Sequence, residues 1–246
     1  MSIVNINIDE FSKTAFDLEL HLGEYLKLSK REIDSYLKQG LKNMSKLHPG
    51  SFREKELTDF YESKVGNSHL FELANWHLTS SNYISDTLKL QQKFGHGNLL
   101  DFGGGIGSHS IAAASLPDVK HVFFVDLNPQ NREFMKYRVN KLGINDLISV
   151  HRDLDEINEI KFDTITCFDV LEHLPDPAVQ LLDFHKRLSS NSIALINWYF
   201  FKGHEGEYPF HIDDKALIEK FFIALQSNFI EVFHPFLITA RSYKPV

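Results

Sequence analysis

The chain has 246 residues, room for one α/β domain and an extension, and its 43% apolar and 24% charged residues are ordinary globular composition. A formal net charge of -7, with lysines and arginines scattered and densest at Lys27, Lys30 and Arg31, argues against a nucleic-acid substrate, and no apolar run approaches the roughly 18 residues of a membrane span. The single Cys167 excludes an intrachain disulfide, and MSIVNINIDEF carries no basic stretch followed by an apolar one, so a cytoplasmic protein without a leader is expected.

Residues 1–95 read as a helical extension. Phe16, Leu20, Tyr25 and Leu28 fall near helical spacing, and Ile33, Leu37, Leu41 and Met44 keep it more closely. The HPGS run at 48–51 is a break. Leu57, Phe60, Tyr61 and Val65 resume a helix, and 70–90 holds one or two more. From residue 96 onward strands and helices alternate, which predicts a parallel sheet with crossover helices. The strands expected are 98–102, 122–125, 147–151, 162–168 and 193–200, with 229–234 and 237–243 as a closing antiparallel pair around Pro235. The helices expected are 108–116, 129–143, one opened by Pro175-Asp-Pro177, and 215–225 with Asp213 as its N-cap. The fold class is therefore α/β: a Rossmann-like, seven-stranded, mostly parallel sheet with helices on both faces and an N-terminal helical extension. The 21 phenylalanines predict an aromatic core, with an aromatic-lined pocket as the alternative.

The loop after the first expected strand is the most informative stretch. Asp101, Gly103, Gly105 and Gly107 form D-x-G-x-G-x-G between a strand and a helix. Glycine lets the backbone turn sharply and approach a ligand closely. The spacing differs from the G-x-G-x-x-G of dinucleotide sites, where a pyrophosphate meets a helix N-terminus. Asp101 would repel a phosphate and suit a cationic amino group. Asp126, ending the second strand, can accept hydrogen bonds from both hydroxyls of a ribose. A ligand with a ribose, a cationic amino-acid end and no phosphate satisfies both.

With these features the sequence resembles the class I S-adenosylmethionine-dependent methyltransferases over about residues 99–243. Val122-Phe-Phe-Val-Asp-Leu-Asn-Pro129 is similar to their second-strand motif, and Val150-His-Arg-Asp-Leu154 to their third. Phe162 to Pro177, with its Val170-Leu-Glu-His-Leu-Pro-Asp-Pro run, resembles the ubiquinone-biosynthesis O-methyltransferase-like branch. The resemblance implies S-adenosylmethionine as cofactor, held by Asp101, Gly103, Gly105, Gly107, Asp126, Leu127, Asp153, Leu154 and Phe168, with Asp153 reading the adenine amino group. It implies that residues 1–95 act as a lid and part of the acceptor pocket on a domain spanning 96–246. Trp76 and Tyr83 are placed to face a sulfonium through their rings, or else to pack helices on the sheet.

Methyl transfer from a sulfonium is an in-line displacement, so the protein supplies alignment, exclusion of water and, for a hydroxyl acceptor, a general base. Bases are expected on the loops after the fourth and fifth strands: His173, His204 and His211. His211 ranks first because Asp213 could orient it, and His173 follows; Glu172 and His173 could instead stabilise the loop. His204, Glu205, Glu207, His211 and Asp213 could hold a metal, but their spacing matches no tight ligand motif, and no metal is expected. Cys167, near the end of an apolar strand, is expected to be an inert buried thiol. The acceptor expected is a small molecule, bound through oxygen first, with no nucleic acid or membrane partner and homodimer formation left open. A protein or RNA methyltransferase and a non-catalytic cofactor-fold protein are the alternatives; the absence of an N/D-P-P-Y/F run at Asp169-Val-Leu-Glu speaks against the first and the intact glycines against the second.

Overall fold

The computed structural model describes residues 11–47, 54–206, 208–234 and 241–245. The N-terminal part is helical: α1 (Phe11–Thr14), α2 (Leu18–Leu26), α3 (Lys30–Leu47), α4 (Glu54–Asp59), a π-turn over Phe60–Lys64, α5 (Asn67–Thr79) and α6 (Ser81–Phe94). The break expected at 48–51 lies outside the described residues. The helix expected from Phe16 starts later. Ala15, Phe16 and Asp17 hold left-handed φ angles of 49°, 58° and 57°. The cause is buried Arg138, whose Nη2 donates to the carbonyls of Ala15 (2.9 Å) and Phe16 (2.8 Å) while Nη1 donates to Ile106 (2.7 Å). One guanidinium thus ties the turn at Ala15 and Phe16 to the glycine loop, and turning those carbonyls onto it fixes the unusual backbone.

Seven strands form one sheet: β1 (Gly97–Phe102), β2 (Val119–Val125), β3 (Ile148–His151), β4 (Phe162–Cys167), β5 (Leu188–Ile196), β6 (Phe229–Val232) and β7 (Arg241–Pro245). Their order is β3-β2-β1-β4-β5-β7-β6, parallel except for β7, which runs antiparallel to both neighbours. Between them run α7 (Ser108–Ala113), α8 (Pro129–Leu142), α9 (Pro177–Arg187) and α10 (Lys215–Asn228). Strand order reverses where β1 meets both β2 and β4, which opens a crevice at their carboxyl ends.

Alternate residues of each parallel strand enter two cores, so both faces are apolar. On one face Leu99, Val122 and Phe124 pack with Phe11, Leu22, Leu70, Leu88, Ile111 and Phe134. On the other, Leu100 and Ile165 pack with Phe162, Leu181, Phe184 and Phe221. The helices before residue 95 therefore share one core with the sheet, and each fully buried side chain contributes about 1.5–3 kcal/mol.

Caps follow side-chain chemistry. The Asn128 side chain accepts from Gln130 N–H (2.8 Å) ahead of Pro129, and Gly143, at φ 67°, ends α8. Two boundaries differ from expectation. Asp214 rather than Asp213 caps α10, accepting from Ala216 (2.9 Å) and Leu217 (3.1 Å). The fifth strand ends at Ile196 instead of residue 200, because Trp198 and Phe200 leave the sheet to pack on Phe221 of α10, with ring centroids 5.0 and 4.9 Å apart. The closing antiparallel pair is present as β6 and β7; Pro235 and 237–240 lie outside the described residues. Among the described residues no helix is long and apolar enough to cross a membrane.

Candidate functional site

A cavity of about 870 Å³ lies where the strand order reverses. It sits within the roughly 300–1,000 Å³ of small-molecule sites. Asp101, Gly103, Gly105, Asp126, Leu127, Asp153, Leu154, Phe168, His173 and His211 all line it. Of the residues assigned to the cofactor, only Gly107 does not. Its φ is 80°, and a Cβ there would lie 2.0 Å from Met135 Sδ, so it serves the packing of α7 against α8. This corrects its assignment to the cofactor.

The wall made by β1, β2 and β3 is tightly bonded. Gly103 and Gly104 N–H donate to the Val125 carbonyl at 2.9 and 3.1 Å, folding the loop back over β2. Gly103, at φ 70°, has room for no Cβ, since one would come 2.4 Å from Val170. Buried Asp126 accepts from the N–H groups of Gly105 and Asn128, each at 2.8 Å, and from Asn131 Nδ2 at 3.2 Å. Burial pushes its carboxyl up to about 6 against the pull of those N–H groups. Asp101 accepts from the hydroxyls of Ser110 (2.6 Å) and Thr166 (3.0 Å), and burial raises its pKa too. Asp153 takes Asp155 N–H at 3.0 Å and pairs with Arg152, which also pairs with Glu62. Each carboxylate oxygen has two lone pairs, so these bonds orient the acids and leave capacity for a ligand.

The N-terminal helices supply a second wall. Met44, Leu57 and Tyr61 line the cavity with His69, Glu72 and Trp76. Trp76 thus faces the site as expected. Tyr83 does not; its hydroxyl donates to Asp169 Oδ1 at 3.1 Å. Asp169 holds a left-handed φ of 57°, its N–H donating to Asn197 Oδ1 at 2.6 Å while Asn197 Nδ2 returns a bond of 2.7 Å. Burial and then the charge of Asp169 push Glu72 up to about 7.

The loops after β4 and β5 make the third wall. Ile212 N–H donates to the Glu172 carbonyl at 2.8 Å, which sets their neighbours His211 and His173 side by side, ring centroids 4.8 Å apart. His211 Nδ1 lies 2.9 Å from the Phe201 carbonyl; since a carbonyl only accepts, Nδ1 carries the proton and Nε2 keeps a lone pair. Burial lowers the His211 pKa, which favours the neutral ring. Asp213 does not orient it, because its carboxylate pairs with Lys202 at 3.1 Å. The residues around His204 weighed as a possible ligand set are not assembled either: exposed His204 lies outside the cavity wall, and Glu207 lies outside the described residues. Glu172 and His173 are the residues grouped with His211 instead.

Glu172 is 1% exposed, and burial, then the charge of Asp169, pushes it up to about 8. Its Oε2 finds no hydrogen-bond partner, and neither do Gln180 Nε2 and Arg187 Nη1 on the same wall. Cys167 is a buried thiol whose pKa burial raises, as expected. The phenylalanines serve both expected uses: Phe124, Phe162 and Phe221 fill the cores, while Phe102, Phe168, Phe201 and Phe210 line the cavity. Sequence reasoning missed Glu72, Asp169 and Tyr61 as cavity residues; nothing in local spacing marks them, since three separate elements bring them together.

A protein-family model described as a methyltransferase domain matches residues 76–205. Solved structures share the fold. A protein described as an O-methyltransferase family protein from Burkholderia thailandensis has a TM-score of 0.59 at 10% identity, covering 86% of this chain and 70% of its own. A Pyrococcus horikoshii protein has a TM-score of 0.54 at 12% identity, covering 80% and 100%. A putative rRNA-methylase from Clostridium thermocellum has a TM-score of 0.52 at 15% identity, covering 67% and 96%. No curated protein matches the sequence.

Proposed function

The chain belongs to this methyltransferase-domain family and is S-adenosylmethionine-dependent, and from that premise we propose that it methylates a hydroxyl oxygen of a small molecule. The residues present fit the cofactor: a loop with no room for side chains at Gly103 borders a cavity, flanked by two oriented buried carboxylates. Asp101 and the Gly103–Gly105 backbone would hold the amino-acid end, Asp126 the ribose, and Asp153, Leu154 and Phe168 the adenine. The cofactor supplies an activated methyl group on a sulfonium. The protein's own contribution is to align the acceptor, exclude water and remove a proton. His211 fits the last task, with Nδ1 held by Phe201 and burial favouring the neutral ring. His173 flanks it and shapes the acceptor end.

The observation that carries the small-molecule reading is the cavity's acidic lining. Residues of the helices before residue 95 form one wall of it, and Glu72, Asp101, Asp126, Asp153, Asp155, Asp169, Glu172 and Asp183 line it against only Arg152 and Arg187. A phosphate backbone would be repelled. The Val170–Pro177 run further favours the ubiquinone-biosynthesis O-methyltransferase-like branch. The test is label transfer from methyl-labelled S-adenosylmethionine into a panel of phenols, catechols and hydroxy acids, beside total RNA and total protein. Label in a small hydroxylated product is the expected result. Label in RNA or protein alone would overturn the reading.

A further inference from the structure

His69 lies on α5, ahead of residues 76–205 that match the family model, and its ring forms part of the cavity wall. Two asparagines that follow β2 fix its tautomer. Asn128 Oδ1 accepts from Gln130 N–H at 2.8 Å, so Asn128 Nδ2 is the atom that lies 3.3 Å from His69 Nδ1. Asn131 Nδ2 donates to both Asp126 oxygens at 3.2 Å and lies 3.3 Å from the same His69 Nδ1. Amide nitrogens only donate, so Nδ1 is the acceptor and the ring proton sits on Nε2. Burial lowers the His69 pKa to about 4, which keeps the ring neutral in that tautomer. The Tyr61 ring packs against it with centroids 5.2 Å apart, and Asn128 Nδ2 also reaches the carbonyl of Gly66, the N-cap of α5, at 3.4 Å. The imidazole is thus held from behind and from one face, and its Nε2–H meets no acceptor among the described residues.

We infer that His69 is a cofactor-binding residue, its Nε2–H donating to a ribose hydroxyl oxygen whose own proton goes to Asp126. A hydroxyl is donor and acceptor at once, and a carboxylate satisfies only the donor half. Asp126 and His69, joined through Asn131 Nδ2, supply the two halves from one cavity wall. A neutral N–H suits a diol, which has no charge to match, whereas an arginine at that place would suit a phosphate. This role rests on the ribose assignment of Asp126 and goes beyond it. It makes the helices before residue 95 part of the cofactor site as well as of the acceptor pocket, so losing a contact on α5 should weaken the cofactor itself.

The test is a calorimetric cycle on the full-length protein with S-adenosylhomocysteine and its 2′-deoxy and 3′-deoxy analogues. The variant is His69→Phe, which keeps an aromatic ring and removes the N–H. It should bind S-adenosylhomocysteine at least about tenfold more weakly than wild type does. For one of the two deoxy analogues the variant and wild type should agree within about twofold, because that ligand already lacks the contact. Equal weakening toward all three ligands would mean that His69 only supports the fold, and would overturn the donor role. Affinity lost in Asp126→Ala but kept in His69→Phe would leave the ribose assignment standing and sink His69 alone. Affinity kept in both would sink the ribose assignment and His69 with it. If His69→Phe does not fold, a crystal structure of the wild type with S-adenosylhomocysteine decides. Nε2 within about 3.5 Å of a ribose oxygen upholds the contact, and a longer distance overturns it.

Discussion

The two ends of the cavity handle buried charge in opposite ways. At the donor end, Asp101 and Asp126 each accept two or more hydrogen bonds from the protein, and Asp153 is braced by Arg152 and a backbone N–H. At the acceptor end, Glu172, Gln180 and Arg187 keep buried polar atoms with no partner. A satisfied site is rigid and already shaped for its ligand, whereas an unsatisfied one holds desolvated groups that a ligand relieves. The glycine-loop end is therefore already shaped, and the end at Glu172 gains the most from being filled.

The largest effect that would break this contrast is at the donor end. Asp126→Ala removes the acceptor of three donors and the expected ribose ligand together. Calorimetry with S-adenosylhomocysteine should show affinity falling by roughly 100-fold or more, about 2.7 kcal/mol. Unchanged affinity would sink the ribose assignment. At the acceptor end the matching change is His211→Ala. Turnover should drop roughly 100-fold, the scale of a lost general base, while cofactor affinity stays within about twofold. Equal losses in both would mean that the two ends are not separate.

That the residues of the glycine-loop end share one cavity was legible in the sequence because they are placed locally. One strand–turn–helix carries Asp101, Gly103 and Gly105, and the ends of β2 and β3 carry Asp126 and Asp153. The acceptor end was not, because its geometry is long-range. The link between Glu172 and Ile212 joins two loops 40 residues apart, and no spacing rule anticipates a backbone bond across them. Asp213 looked like the partner of His211 from adjacency alone, yet its carboxylate goes to Lys202. Gly107 shows the converse: its place in the motif suggested a ligand contact, and the structure assigns it to packing.

That reassignment sharpens the comparison. Gly107→Ala forces a Cβ onto Met135 at φ 80° and should lower stability by about 1–3 kcal/mol in denaturant unfolding. Cofactor affinity of the remaining folded protein should be nearly intact. A variant of unchanged stability that no longer binds S-adenosylhomocysteine would restore Gly107 to the cofactor site.

The smallest effect tests the unsatisfied end directly. Burial and the neighbouring Asp169 charge raise Glu172 from its ordinary 4.5 to about 8. Between those two values the folded protein keeps a proton that the unfolded chain has released, so the stability this group contributes is complete below pH 4.5 and is lost as pH rises through 8. Glu172→Gln retains the shape and does not titrate. Its melting temperature relative to wild type should therefore climb by a few degrees from pH 5 to pH 8 in metal-free buffer. A flat difference across that window would mean that Glu172 is solvated or already paired.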